Sequence, residues 1–367
     1  MLVGNPNRTR FLRFSEGSSK AGAKGFPWEG DAVGMRSLAV RAPRWEAEVV
    51  RRRLLEAGLL EGTLRVAAEG DSIVFPVRGP PVGLAVIEAD FEPAVRTPRS
   101  YRDVCLVPEA LRELLPTAFD QIGDIVLLKL PEPLVPHAAE VGRAILEVQA
   151  RARVVCLDSG VKGAFRVREV RVVAGEARTV TEHREHGLRL KVDVGRAHYS
   201  PRLGTERLRV ARLVRPGEAV VDLFAGVGPL ALLVARLAPR ARVHAVDANP
   251  EAFRLLEENI RLNRAGNVTA VLSDAGAFLA GEPRFDRIAM DLPRGAHAFL
   301  PAALRSVRVG GVVHYYEILE LAGRERREAA IAAEGDRLGV KATVTEVRQV
   351  HAYSATQGMF AVDIRVG

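Results

Sequence analysis

Val220-Val221-Asp222-Leu223-Phe224-Ala225-Gly226-Val227-Gly228-Pro229 is the stretch whose reading decides the fold. An apolar run of strand character leads into an acidic residue, two glycines follow at alternate positions, and a helical pattern opens over Leu230 to Leu237. Strand, glycine-rich turn, helix is the order in which a Rossmann-like unit cradles a nucleotide, because glycine admits the tight turn and lets a ligand approach the backbone. A second strand-like run, Arg242 to Val246, ends at Asp247, where a carboxylate can accept from both ribose hydroxyls. Leu230 stands near where the third glycine of a dinucleotide fingerprint would fall. That points away from NAD and towards a smaller adenosyl ligand.

With 367 residues the chain has room for two or three domains. An apolar content of 48% beside 27% charged residues is that of a soluble protein, and the sequence has neither an apolar run able to span a bilayer nor a visible signal peptide, so a cytoplasmic location is expected. Cys105 and Cys156 form no Cys-x-x-Cys, which leaves two buried thiols as the default and a single disulfide as the thermophile alternative; no metal site is expected. A net charge of +8 and a pI near 9.9 favour a polyanionic partner.

Residues 1–34 have no periodicity and read as a disordered tail or a mis-assigned start. Residues 35–80 read as a small α/β module and the proline-rich 81–100 as a linker. Residues 101–209 form a middle module of mixed strands and helices, with 16 Arg and Lys against 7 Asp and Glu between Arg151 and Arg215. That excess reads either as a solvated face or as a footprint for a phosphate backbone. Residues 210–367 alternate strands with helices, which implies a doubly wound, mostly parallel sheet with the ligand at the carboxyl ends of its central strands. Asp247, Asp274 and Asp291 fall at three successive strand ends. In an S-adenosylmethionine site one such acid holds ribose, one accepts from the adenine amino group and one faces the substrate. An N-cap is the plainer reading of Asp274.

The strings IGDI, VKGAFR, TEHRE, YSPRLGTERLR, VVDLFAGVGPL, HAVDANPEA, LEENIRLN, LSDA, DRIAMDLPRGAHAFL and GGVVHYYEI resemble the archaeal and eukaryotic tRNA (guanine-37-N1)-methyltransferases over roughly Ile122 to Gly367. The resemblance implies a Rossmann-like class I methyltransferase domain, an α+β tRNA-binding middle domain and a small N-terminal α/β domain that contacts the outer corner of the tRNA. It implies S-adenosyl-L-methionine held by Asp222, Phe224, Ala225, Gly226, Val227, Gly228, Asp247, Ala248, Asp274, Asp291 and Pro293. The tRNA would be met by His198, Tyr199, Ser200, Pro201 and Arg202, and the enzyme would act as a monomer.

Position by position, Glu206 falls on the family's general base and Arg166 on the arginine beside guanine O6. N1 of guanine carries a proton at neutral pH, so alkylation there needs a base, which a carboxylate of raised pKa supplies. Arg207 is expected to position its neighbour Glu206 or a phosphate of the flipped nucleotide. Two departures stand out: Asp291-Leu292-Pro293 replaces the usual Asn-Leu-Pro, and His198-Tyr199 replaces Tyr-Phe. Asp291 can accept from N1–H or N2–H and share the base role with Glu206. The runner-up within the fold is the aminocarboxypropyl transferase of wyosine synthesis, and outside the class a catalytically silent tRNA-binding protein. Leu-Pro after Asp291 together with Glu206 favours the methyltransferase.

Overall fold

A computed structural model describes residues 34–367 apart from 95–97, 282–283, 321–323, 353 and 355. The tail expected over 1–34 therefore lies outside the described residues but for Gly34. The chain divides into two compact units, Met1–Thr97 and Pro98–Gly367.

The first unit holds β1 (Met35–Pro43), α1 (Ala47–Glu56), β2 (Ala67–Glu69), β3 (Ser72–Pro76) and β4 (Val86–Phe91). They build an antiparallel sheet in the order β2-β3-β1-β4, and Val50 and Leu54 of α1 pack with Val40, Phe75 and Val77. β4 lies inside the stretch expected as a linker: Met35 to Val40 pair with Phe91 to Val86. Prolines on both sides disguise a strand that brings Phe91 into a small core with Ala39, Leu64 and Val74.

The second unit opens with α2 (Tyr101–Val104), β5 (Asp120–Ile122), β6 (Ile125–Leu128), α3 (Ala138–Val148), β7 (Val154–Lys162) and β8 (Val167–Gly175). Its four-stranded sheet has the order β5-β6-β7-β8 with α3 packed on it. A hairpin follows, β9 (Val180–Glu185) and β10 (Leu188–Asp193), then α4 (Gly204–Leu213). The remainder is β11 (Ala219–Asp222), α5 (Pro229–Leu237), β12 (Arg242–Asp247), α6 (Pro250–Asn263), β13 (Val268–Leu272), α7 (Ala275–Gly281), β14 (Phe285–Met290), α8 (Leu300–Ser306), β15 (Val307–Glu320), α9 (Arg324–Arg337), β16 (Ala342–Ala352) and β17 (Gln357–Val366).

These last strands form a seven-stranded sheet in the order β13-β12-β11-β14-β15-β17-β16. It is parallel throughout except for β17, which runs antiparallel to both neighbours. This is the doubly wound sheet expected from the alternation. Its order reverses between β11 and β14, and that switch point is where an open α/β sheet offers a crevice.

The middle and catalytic modules, expected as separate, share one core. Ile122, Ile125 and Cys156 lie in the same apolar cluster as Val210, Val220 and Leu233. The hairpin edge is stitched to α6 by amides. Asn259, fully buried, accepts from Lys191 N–H (2.7 Å) and donates to the carbonyls of Lys191 (3.0 Å) and Val227 (2.9 Å), while Asn263 does the same for Arg189. Unpaired strand edges must satisfy their backbone groups somewhere, and here side-chain amides serve. Cys105 and Cys156 are buried free thiols.

Candidate active site

The glycine loop leaves β11 at Asp222 and is tied to both neighbouring strands, Leu223 N–H to Ala289 O (3.0 Å) and Ala225 N–H to Val246 O (2.9 Å). Gly226 (φ 54°) and Gly228 (φ 89°) are left-handed, and Gly228 caps α5 with Pro229 at its first turn. A Cβ on Gly226 would lie 3.0 Å from the His198 carbonyl oxygen, and one on Gly228 2.5 Å from Leu256 Cδ1. Both positions thus require glycine for backbone and for space.

Asp247 accepts from Gly226 N–H (2.7 Å) on Oδ2 and from Asn249 N–H (2.9 Å) on Oδ1. Each oxygen keeps a second lone pair for a hydroxyl. Burial raises its pKa against the pull of those two backbone bonds. Asp274 is exposed, and its Oδ1 accepts from Gly276 (2.8 Å) and Ala277 (3.1 Å) at the start of α7, so the helix-cap reading holds for that oxygen. Phe224 packs edge-on against Phe299, with centroids 5.4 Å apart. Ala225 and Val227 are buried, Ala248 is exposed, and the Pro293 carbonyl accepts from Ile318 N–H (3.3 Å).

Asp222 and Asp291 stand at the switch point, ending β11 and following β14. Burial pushes Asp222 up to about 7, and the charge of Asp291 adds to it. Burial likewise pushes Asp291 up to about 6; Glu206 adds to this, while Arg207 and Arg166 pull the other way. Oδ1 of each is enclosed without a hydrogen-bond partner among the described residues, as is Nδ1 of His198, whose carbonyl touches the loop at Gly226. Unsatisfied buried polar atoms cost free energy, so their gathering at a glycine loop marks a site built for a polar ligand. The chemistry fits an adenosyl-amino-acid cofactor, with acceptors for hydroxyl and amino groups and carboxylates to face a sulfonium charge.

Glu206 is buried on α4 and its carboxylate is fully engaged. Oε1 accepts from Tyr316 Oη (2.8 Å) and Arg209 Nη2 (2.8 Å); Oε2 accepts from Arg348 Nη2 and from Arg209 Nε (3.2 Å). The expectation that Arg207 positions Glu206 fails. Arg207 instead grips Glu185, Nε to Oε1 at 2.9 Å and Nη2 to Oε2 at 2.5 Å, lies over the Tyr199 ring at 5.2 Å and donates to the Ser200 carbonyl (3.0 Å). Adjacent helical residues diverge by about 100°, whereas residues three apart share a face, so Arg209 is the arginine that meets Glu206. Burial acts against the charge of both members of the Arg207–Glu185 pair; their mutual bonds prevail, raising Arg207 and lowering Glu185.

Arg166 sits in the turn between β7 and β8 with φ 52°. The His198 ring bonds the Arg166 backbone, and burial, followed by the charges of Arg168, Arg166 and Arg207, pushes it down to about 4, so the ring is neutral. Tyr199, expected to meet tRNA, is instead buried in the shared core and donates to Glu185 Oε2 (2.8 Å). Pro201 opens a short helical turn, and the exposed Arg202 donates to Asp120 Oδ1 (2.8 Å). Sequence reasoning assigned no role to Glu185, Arg209, Tyr316, Arg348 or Asp363. Only the 206–209 spacing on a helix was available to flag one of them.

The basic excess of 151–215 is largely spent internally. Arg168 pairs with Asp158, Arg178 with Asp124, Arg189 with Glu182, Lys191 with Glu258 and Arg202 with Asp120. A groove of about 1080 Å³ between β9 and α6, away from the glycine loop, is lined by Arg151 and Arg261 together with the paired Arg184–Glu182 and Lys191–Glu258.

Comparison with known proteins matches three successive stretches of the chain. Residues 181–341 match the TRM5/TYW2 methyltransferase domain, 105–179 the TYW2 N-terminal domain and 39–85 the tRNA methyltransferase 5 N-terminal domain. The tRNA (guanine(37)-N(1))-methyltransferase Trm5b of Pyrococcus abyssi is 43% identical over 90% of this chain and 99% of its own, and its crystal structure superposes with a TM-score of 0.76. The structure of a complex of aTrm5 and tRNALeu matches with a TM-score of 0.75 and 30% identity over 90% of this chain and 100% of the other. The tRNA(Phe) (4-demethylwyosine(37)-C(7)) aminocarboxypropyltransferase of Pyrococcus horikoshii is 34% identical over 57% of this chain and 74% of its own.

Proposed function

The chain belongs to the tRNA (guanine(37)-N1)-methyltransferase family, and from that premise we propose that it methylates N1 of guanosine 37 in tRNA with S-adenosyl-L-methionine. Bound in the glycine loop, that cofactor supplies an electrophilic methyl on a sulfonium. The loop backbone from Asp222 to Gly228 would hold it, with Asp247 taking the ribose hydroxyls and Ala248, Asp274, Asp291 and Pro293 as its further contacts.

The target base must leave its stack to reach this depth. Glu206 takes the proton from guanine N1 and so frees the N1 lone pair for alkylation; as the nitrogen–carbon bond forms, the donor's sulfur–carbon bond would break and the neutral thioether would leave. Arg166 stabilises the charge that gathers on O6. Arg207, through the Ser200 carbonyl and Glu185, fixes the turn that carries His198 and Pro201 against the loop. Asp291 offers its enclosed Oδ1 as a second acceptor for N1–H or N2–H. The same reading has the enzyme acting as a monomer on cytoplasmic tRNA.

The reading is supported by the placing of Asp291 at the end of β14 beside the glycine loop, where the charges of Arg207, Glu206 and Arg166 act on it. A single-turnover assay of Glu206→Gln tests it. Removing a general base typically costs about 10²–10⁴-fold, so the variant should form N1-methylguanosine that much more slowly while still binding cofactor. A wild-type rate would remove Glu206 from the chemistry.

A further inference from the structure

The sheet face covered by α4 is polar, and its polar groups lead to Glu206. His314 on β15, Asp363 on β17 and Glu346 on β16 are directly opposed across three strands, and two residues along, Tyr316, Ala361 and Arg348 form the next such row. Strand alternation keeps both rows on one face. Ala361 presents only a methyl group between Tyr316 and Arg348, and Glu206 accepts from both of these flanking side chains.

The first row reaches Glu206 through Arg209. Its Nη1 and Nη2 donate to Asp363 Oδ2 (2.7 Å) and Oδ1 (3.1 Å), while Nη2 and Nε donate to Glu206. Behind Asp363 the chain continues: His314 Nδ1 lies 2.6 Å from Asp363 Oδ1, and His314 Nε2 lies 2.8 Å from Arg287 Nη1. An arginine has only donors, so Nε2 must accept, and Nδ1 therefore carries the proton given to Asp363. Arg287 is itself held by Glu218 (3.1 Å) and the Leu213 carbonyl (2.9 Å). Glu206, Tyr316, Asp363, His314 and Arg287 are all at least nine-tenths buried. Burial works against the charge on Asp363, but the bonds from His314 and Arg209 outweigh it and hold the carboxyl below the usual range.

We propose that Asp363 and His314 are positioning residues for methyl transfer: by pinning Arg209 to the sheet they hold the Glu206 carboxylate where it meets guanine N1. The proposal rests on the reading of Glu206 as the proton acceptor. A glutamate has three side-chain torsions, and an arginine bound to it alone would follow it wherever it moved. Anchored by Asp363, Arg209 becomes a fixed point, and reaction rates are sensitive to displacements of a reacting group of about 1 Å. Arg348, on the edge strand and the more exposed of the two arginines, is the donor that yields when Glu206 takes up the proton.

The test is single-turnover methylation by Asp363→Asn, alone and combined with Glu206→Gln. Asp363→Asn should lower the saturated rate about 10–100-fold, with half-saturating cofactor and tRNA within about twofold of wild type. In the Glu206→Gln background it should cost nothing further, because residues acting as a unit are not additive. His314→Leu should show part of the loss and His314→Asn, whose amide can donate in place of Nδ1–H, should restore it; this pair decides the matter if Asp363→Asn fails to fold. A loss expressed in half-saturation, or one that multiplies with Glu206→Gln, would overturn the positioning role while leaving Glu206 as the base. An unimpaired Glu206→Gln enzyme would overturn both.

Discussion

Asp291 is one of the two departures from the pattern of the family that the sequence resembles, and its surroundings give the departure a physical signature. An unperturbed aspartate titrates near 3.9, whereas burial pushes Asp291 up to about 6 and its neighbour Asp222 to about 7. A carboxyl whose folded-state pKa is raised binds its proton more tightly folded than unfolded. Its stabilising contribution is present below about pH 4 and is lost as pH rises through about 6. Asp291→Asn keeps the shape and removes that loss, so it should be more stable than wild type by about 1–3 kcal/mol at pH 8, and melt correspondingly higher, with little difference at pH 4. Thermal melts of the cofactor-free protein at the two pH values check this; equal differences at both would mean that Asp291 is not a strained buried acid. At this scale the sequence was only partly readable. Asp291 and Glu206 can be picked out, but two of the partners of Glu206 cannot, since Arg348 and Tyr316 lie 142 and 110 residues away along the chain. Arg207 is next to Glu206 in the chain but not in space, because adjacent residues of a helix point about 100° apart.

The element that was most legible is the strand–loop–helix of Val220 to Leu237. Its signals are local: an apolar run, two glycines whose left-handed backbone no other residue adopts cheaply, and a proline at the first helical position. Gly228→Ala should therefore act locally and strongly. It forces an alanine to φ 89° with its Cβ 2.5 Å from Leu256 Cδ1, which should cost about 1–3 kcal/mol of stability and weaken adenosyl-cofactor binding measured by calorimetry. Unchanged affinity would show that the loop is not the cradle. β4 was illegible for the opposite reason. Its six residues are framed by prolines, and its strand character depends on pairing with β1, which lies about fifty residues earlier. The hairpin of β9 and β10 shows the same dependence, because its edge is satisfied by Asn259 and Asn263 of a distant helix.

Over the whole second unit, two modules that composition divides are one body with a common core. The candidate site draws Arg166 and His198 from the middle segment, Glu206 from the helix that joins it to the sheet, and the glycine loop and Asp291 from the sheet itself. The charge excess that suggested a polyanion also holds this body together, since most of those arginines are paired internally. Composition reports charge but not its partners, and for that reason the sequence overstated the free basic surface. The most direct measurement is a single-turnover reaction of the full chain with S-adenosylmethionine and paired tRNA transcripts carrying guanosine or adenosine at position 37, with the product nucleoside identified by mass. N1-methylguanosine from the guanosine transcript alone is the predicted result. A three-carbon amino-acid adduct, methylation of the adenosine transcript, or no product from either despite cofactor binding would contradict it.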